Sequence, residues 1–301
     1  MSATIIDGKQ IAATIKEEVR GGTERLWSDR RVRPGLGFIL VGDNAASQSY
    51  VRSKGKACGE LGFHSVTEQL PGATPENDLL ELIGRWNADP ALHGILVQLP
   101  LPQHINEQRV IEAIDPRKDV DGFHPVNVGK LVIGLECLKP CTPAGIQELL
   151  VRSGNDPRGK HVVVVGRSNI VGKPVANILL QKAAGANAVV TVAHTGAKDI
   201  ARYSRDADVV IAAIGRPEAI TGDMLKPGCV VIDVGINRIA DPSTKTGSRL
   251  VGDVHFPSAS AVASAITPVP GGVGPMTIAM LMRNTLLAAE RLTELSLSSS
   301  C

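Results

Sequence analysis

His161-Val162-Val163-Val164-Val165-Gly166-Arg167-Ser168-Asn169-Ile170-Val171-Gly172-Lys173-Pro174 is the stretch that decides the fold. The valine run reads as a buried strand. Gly166 at its end permits a tight turn and a close backbone approach, and a helix is expected from Lys173 to Ala184. The start of such a helix offers free N–H groups and a positive dipole end to a phosphate. The spacing is G-x-S-x-x-x-G and not the G-x-G-x-x-G of the dinucleotide fingerprint. An ordinary α/β turn and a nucleotide site both fit it, and the flanking strand and helix favour the nucleotide.

Moving outward, the next strand, Ala188 to Ala193, ends in His194-Thr195-Gly196 with no carboxylate. A site for NAD usually places an acidic residue there, about 20 residues beyond the turn, to hold the ribose diol. Arg167, Lys173, His194 and Thr195 would instead welcome a 2′-phosphate, so NADP is expected over NAD. Asp208–Ile214 and Cys229–Val234 continue the strand rhythm, and Pro143–Ser153 precedes it as a helix. Residues 241–247 form a polar hairpin or surface excursion. Pro275–Leu292 is a final amphipathic helix, and Ser296–Cys301 should fray.

An earlier rhythm runs through a strand at Gly37–Val41, helices at Ser49–Leu61 and Pro75–Ala88, a strand at Gly94–Leu99 and a helix at Asn106–Ile114. Two such runs in 301 residues predict an α/β protein of two domains with parallel sheets covered on both faces. A net charge of +2 and 3 % aromatic residues argue against a dedicated nucleic-acid binder. No apolar run approaches a membrane span. The five cysteines form no C-x-x-C pair, the seven histidines have no ligand spacing, and no metal site is expected. The N-terminus lacks the features of a signal peptide, and the cysteine usage suits a reducing, cytoplasmic setting; an organelle stays open.

Three features point to chemistry. On the 49–61 helix, at about 100° per residue, Lys54 falls inside the apolar stripe of Tyr50, Val51, Ala57, Cys58 and Leu61, opposite Arg52 and Lys56. It is either a stem packed inward with its head in water or an acid–base group needing a partner. Gln98 interrupts an apolar strand near its carboxyl end, and a buried amide also needs partners; pairing it with Lys54 satisfies both, with a bond to backbone as the alternative. Asp119 and Asp121, two apart, share a face if the segment is extended, and fit a metal, a solvated loop or an amino-heterocycle. The loop Thr267-Pro268-Val269-Pro270-Gly271-Gly272-Val273-Gly274-Pro275-Met276-Thr277 is stiff and exposes backbone, as a wall beside a flat ligand or a connector.

Six segments in order closely resemble the methylenetetrahydrofolate dehydrogenase/methenyltetrahydrofolate cyclohydrolase family over nearly the whole chain. They are Tyr50-Val51-Arg52-Ser53-Lys54-Gly55-Lys56-Ala57, Val97-Gln98-Leu99-Pro100-Leu101-Pro102, Lys118-Asp119-Val120-Asp121-Gly122-Phe123, Pro140-Cys141-Thr142-Pro143, the Gly166–Pro174 turn and the Pro268–Thr277 loop. The resemblance implies NADP-linked oxidation of 5,10-methylenetetrahydrofolate, hydrolysis of the methenyl product to 10-formyltetrahydrofolate, and a homodimer with a cleft between its domains. It implies a folate-binding catalytic domain of residues 1–142 and 275–301, to which the last helix returns, and a Rossmann-like domain of residues 143–274.

By position it makes Lys54 the acid–base residue and Gln98 its partner, sets Tyr50 beside the folate ring and has Asp121 anchor the pterin. Val97, Leu99, Pro268, Gly271 and Gly272 complete the substrate set. Gly166, Arg167, Ser168, Ile170, Val171, Gly172, His194, Thr195, Gly215, Ile236 and Thr277 form the cofactor set. Ala144, where the family often has lysine, and His255, where aspartate is common, depart from the pattern outside the chemical set. Two rivals remain: a different NADP dehydrogenase acting on an amino or hydroxy acid, which leaves Tyr50, Lys54 and Asp121 unassigned, and a non-catalytic nucleotide sensor. No G-x-x-x-x-G-K-[ST] motif supports a third, ATP-dependent ligase activity.

Overall fold

The computed structural model describes residues 2–244 and 247–298. In chain order, β1 (Thr4–Ile5) leads into α1 (Gly8–Arg30). Then come β2 (Gly35–Val41), α2 (Ala45–Glu60), β3 (His64–Leu70), α3 (Glu76–Ala88), β4 (Gly94–Val97), α4 (Glu107–Ala113) and α5 (Pro125–Val132). Next are α6 (Cys141–Arg152), β5 (His161–Val165), α7 (Gly172–Leu179), β6 (Val189–Ala193), α8 (Ala201–Ser204), β7 (Val209–Ala212) and β8 (Val230–Asp233). The chain ends with β9 (Asn237–Ala240), β10 (Ser248–Val251), α9 (Phe256–Ser260), β11 (Ala265–Ile266) and α10 (Val273–Ser298).

Two compact units result, one of Met1–Ala13 with Thr142–Thr277, the other of Thr14–Cys141 with Ile278–Cys301. The first holds a six-stranded parallel sheet in the order β1-β11-β8-β7-β5-β6. Its central strands β7 and β8 are buried along their whole length, as apolar runs covered on both faces should be. After β5 the chain pairs first on one side, at β6, and then on the other, at β7, so the order reverses beside β5. Ligands of open α/β sheets gather outside the carboxyl ends of the strands at such a reversal.

The second unit is built on a three-stranded parallel sheet, β3-β2-β4. Leu79 and Ile83 of α3 and Val110 of α4 share its core with Ile39, Ile95 and Val97. Asn106 caps α4 by accepting the Arg109 N–H, which fixes that helix start. The return of α10 is fastened here: Asn284 Nδ2 donates to the Val120 and Lys139 carbonyls, both at 2.8 Å.

Two departures from the sequence expectations have physical causes. The first 13 residues belong with the six-stranded sheet, because β1 adds to its edge beside β11 and buries Ala3 and Ile6. The predicted 173–184 helix ends at Leu179, where Asn187 and Ala188 turn back onto Gln181 and Leu179. Turns at 116–118 and 120–121 flank Asp119, which makes a single parallel bridge to Ile95, so Asp119 and Asp121 do not share the face of an extended segment. At 241–247 the hairpin reading holds, as the tip joining antiparallel β9 and β10; Lys245 and Thr246 lie outside the described residues, as do 299–301 of the expected frayed end. Among the described residues no helix is long and apolar enough to cross a membrane, and no His/Cys/Asp/Glu cluster could hold a metal.

Candidate active site and nucleotide site

Helix α2 buries Val51, Lys54, Ala57 and Cys58, while Arg52 and Lys56 are exposed. Lys54 is 7 % exposed and does not snorkel. Its Nζ donates to Gln98 Oε1 at 3.1 Å, the pairing expected from sequence. Gln98 follows β4 directly, and its backbone N–H continues the ladder to Ile39 O. Its Nε2 donates to Leu99 O at 2.8 Å, which fixes the amide with Oε1 toward the lysine. Tyr50, grouped by the helical wheel with the apolar stripe, is 47 % exposed, one turn ahead of Lys54.

The two aspartates divide. Asp119 is buried and accepts from Phe123 N, His124 N and Asn127 Nδ2, so it holds the turn together. Lys118 is buried beside it and donates to the Trp86 and Asp89 carbonyls, closing the end of α3. Asp121 is half-buried and lines an apolar hollow with Val97, Leu99 and Phe123. Burial pushes its carboxyl up from 3.8 to about 6; the Lys54 charge opposes that rise and Asp119 adds to it. Lys54, Gln98, Val97, Leu99 and Asp121 thus form one group on one unit, with Tyr50 beside them.

In the other unit, Gly166 has φ +137°, and a Cβ there would lie 2.1 Å from Ala213 O. A Cβ on Gly172 would lie 2.3 Å from Gly166 O, so both positions require glycine. Ser168 Oγ accepts from Val171 N and Gly172 N, capping α7 from within the turn. Arg167, Ser168, Ile170 and Thr195 are exposed around the carboxyl end of β5. Lys173 is drawn to Asn169 Oδ1 at 2.7 Å, and His194 Nδ1 accepts from Gly196 N. Lys198 and Arg216, absent from the sequence reading, share an open hollow with Thr195. Asp199 also lines that hollow, but its Oδ1 is engaged by Ala201 N at 2.9 Å, and the residues that directly follow β6 carry no carboxylate, so the cationic set fits a phosphorylated ribose.

Gly215 and Ile236 are exposed on the loops after β7 and β8. Thr277 Oγ1 meets Thr142 Oγ1 at 2.8 Å. The loop carrying Pro268, Gly271 and Gly272 is closed by Gly272 N donating to Pro268 O and anchored by Asp233 N donating to Thr267 Oγ1. Sequence reasoning missed Asp233 and Asp253, two buried carboxylates beneath these loops. Burial raises the Asp233 carboxyl to about 7, against three backbone N–H bonds that lower it. The available signal was an aspartate ending the apolar run Val230-Val231-Ile232-Asp233.

A buried lysine–glutamine pair next to a carboxylate in one unit, and a strand–turn–helix with an exposed cationic turn in the other, are the arrangement of a nucleotide-dependent enzyme. Comparison with known proteins agrees. The tetrahydrofolate dehydrogenase/cyclohydrolase catalytic domain matches residues 6–121, and the NAD(P)-binding domain of the same family matches residues 140–293. The bifunctional protein FolD of Syntrophobacter fumaroxidans is 58 % identical over 96 % of this chain and 98 % of its own. That of Moorella thermoacetica is 56 % identical over 97 % and 100 %. The crystal structure of the Campylobacter jejuni FolD enzyme superposes with a TM-score of 0.90 at 48 % identity, covering 96 % of this chain and 99 % of that one. The Trypanosoma brucei FolD, solved with NADP and an inhibitor, gives 0.91 at 42 %, covering 97 % and 98 %. The chain belongs to the tetrahydrofolate dehydrogenase/cyclohydrolase family.

Proposed function

We propose that this chain oxidises 5,10-methylenetetrahydrofolate with NADP and hydrolyses the 5,10-methenyl product to 10-formyltetrahydrofolate, using Lys54 for the hydrolysis. The observation that carries the assignment is the 3.1 Å bond between the buried Lys54 Nζ and Gln98 Oε1, beside Asp121. Bound NADP supplies the hydride acceptor; the substrate's own nitrogen lone pair drives the departure, so no strong protein base is needed for that step. Hydrolysis needs proton transfers: the attacking water loses a proton and a ring nitrogen gains one as the amidinium opens. Gln98 Oε1 can only accept, so it takes one Nζ hydrogen and turns the remaining positions of Nζ toward the substrate. Tyr50 lies along the folate ring, and Asp121 accepts N–H groups of the pterin beside Val97 and Leu99. Pro268, Gly271 and Gly272, on a stiff loop with exposed backbone, complete the substrate set.

The cofactor set is Gly166, Arg167, Ser168, Ile170, Val171, Gly172, His194, Thr195, Gly215, Ile236 and Thr277, with residues 143–274 as the nucleotide domain, joined there by residues 1–13, and residues 14–142 and 275–301 as the folate domain. Comparing NADP with NAD in the dehydrogenase assay tests the cofactor. NADP is expected to give the higher kcat/KM by about tenfold or more; an NAD preference would overturn it, and NADPH formation from an amino or hydroxy acid would favour the rival dehydrogenase. Cytoplasmic work is supported by four buried free thiols, Cys58, Cys137, Cys141 and Cys229. A homodimer is supported by β3, a seven-residue edge strand; a solution mass near 31.6 kDa by light scattering would contradict it.

The raised Asp121 carboxyl gives a pH signature. The folded group keeps its proton up to about 6, against 3.8 ordinarily, so its contribution to stability is present below 3.8 and lost as pH rises through 6. Substrate anchoring runs the other way, because only the carboxylate accepts two N–H bonds. The folate KM is expected to rise as pH falls through about 6. In Asp121→Asn, KM should be raised at every pH and that limb absent; an unchanged wild-type limb would remove Asp121 from the anchor.

A further inference from the structure

The loops after β7 and β8 leave the carboxyl ends of adjacent parallel strands, and one buried side chain ties them together. Asp253, two residues past β10, is completely buried. Its Oδ2 accepts from Ile214 N at 2.6 Å and Gly215 N at 2.8 Å, and its Oδ1 accepts from Asn237 Nδ2 at 2.9 Å. The backbone beneath it is fixed as well. Asp253 N donates to Asp233 Oδ1 at 2.8 Å, and Asp233 also receives the N–H groups of Gly235 and Val254. Gly235 makes the room: a Cβ there would lie 2.3 Å from Asp253 Oδ1. The two loops carry Gly215, at φ +72°, and the exposed Ile236.

We propose that Asp253 is a positioning residue of the dehydrogenase, one carboxylate that sets the spacing between the Gly215 loop and the Ile236 loop and so the affinity for NADP. The inference rests on the assignment of Gly215 and Ile236 to the cofactor. Two donors from the loop after β7 and one from Asn237, the β9 residue that directly follows Ile236, converge on a side chain that itself never reaches solvent, so Asp253 acts through those segments and not on the ligand. A purely structural carboxylate would lower stability when removed and leave the cofactor KM of the surviving folded protein alone. Asparagine can serve in its place: its one oxygen takes both backbone N–H groups, and the Asn237 amide turns over to accept from the new Nδ2. Alanine leaves all three donors without an acceptor.

The test uses the full chain, with NADP varied in the dehydrogenase assay and methenyltetrahydrofolate hydrolysis measured without nucleotide. Asp253→Ala is expected to raise the NADP KM by about tenfold or more, and Asp253→Asn to stay within about threefold of wild type. Asn237→Ala cuts the tie to one loop only and should raise the NADP KM by about fivefold, with hydrolysis within about twofold of wild type. If Asp253→Ala fails to fold, Asn237→Ala decides. Ile236→Asp probes the underlying assignment and should itself raise the NADP KM. A raised KM in Ile236→Asp with an unchanged KM in Asn237→Ala overturns the tether and leaves the site standing. An unchanged KM in Ile236→Asp overturns the site reading itself. Equal loss of both activities in Asn237→Ala also overturns the tether.

Discussion

Lys54→Met should slow hydrolysis of methenyltetrahydrofolate by about 100-fold or more, the usual worth of a positioned acid–base group, and leave NADP affinity within about twofold. Methionine suits the test because the site is a packed one. Lys54 is 7 % exposed, on the buried face of α2 with Val51, Ala57 and Cys58, and an unbranched apolar chain of similar length suits that space. What disappears is the nitrogen that bonds Gln98 Oε1. The freed amide oxygen costs about 1–3 kcal/mol of stability, which a well-packed two-unit chain can bear. The nucleotide residues lie on the other compact unit, so binding of NADP gives an internal control. Hydrolysis at the wild-type rate in a folded Lys54→Met protein would end the acid–base assignment.

Arg167→Ala should raise the NADP KM by about 10- to 100-fold and leave the NAD KM nearly unchanged, as expected for one charge-assisted bond of about 1.5–3 kcal/mol to a group only NADP carries. Arg167 is exposed, directly after the glycine that follows β5, and among the described residues no side chain of the turn is bonded to it as Asn169 is to Lys173. The control is Arg216→Ala, in the hollow shared with Thr195 and Lys198. If Arg216→Ala loses NADP affinity and Arg167→Ala does not, the cation belongs to the loop after β7.

Some of this was written locally in the chain and some was not. The valine run of β5 and its glycine turn declare themselves because a doubly covered strand needs an unbroken apolar run. Lys54 and Gln98 could be paired from sequence because each violates an apolar pattern, one at helical and one at strand spacing, and each violation demands a partner. Other features depend on distant neighbours. β1 has two residues, too few to show any period, and exists because the β11 edge is there to receive it. Asp119 and Asp121 look alike in sequence; a turn, not an extended strand, sends one inward to three donors and the other to the hollow. Tyr50 and Val51 are adjacent, yet only the packing of α2 exposes the first and buries the second. Asp253 shows no local pattern at all, since its three donors come from positions 16 to 39 residues earlier in the chain.

The central claim is that one chain performs both steps. It is tested most directly by mixing the wild-type protein with methylenetetrahydrofolate and NADP and following NADPH absorbance together with 10-formyltetrahydrofolate. The account predicts that NADPH rises and that the formyl product accumulates with it faster than methenyltetrahydrofolate hydrolyses in buffer alone. NADPH with methenyltetrahydrofolate decaying only at the buffer rate, or no NADPH at all, would contradict it.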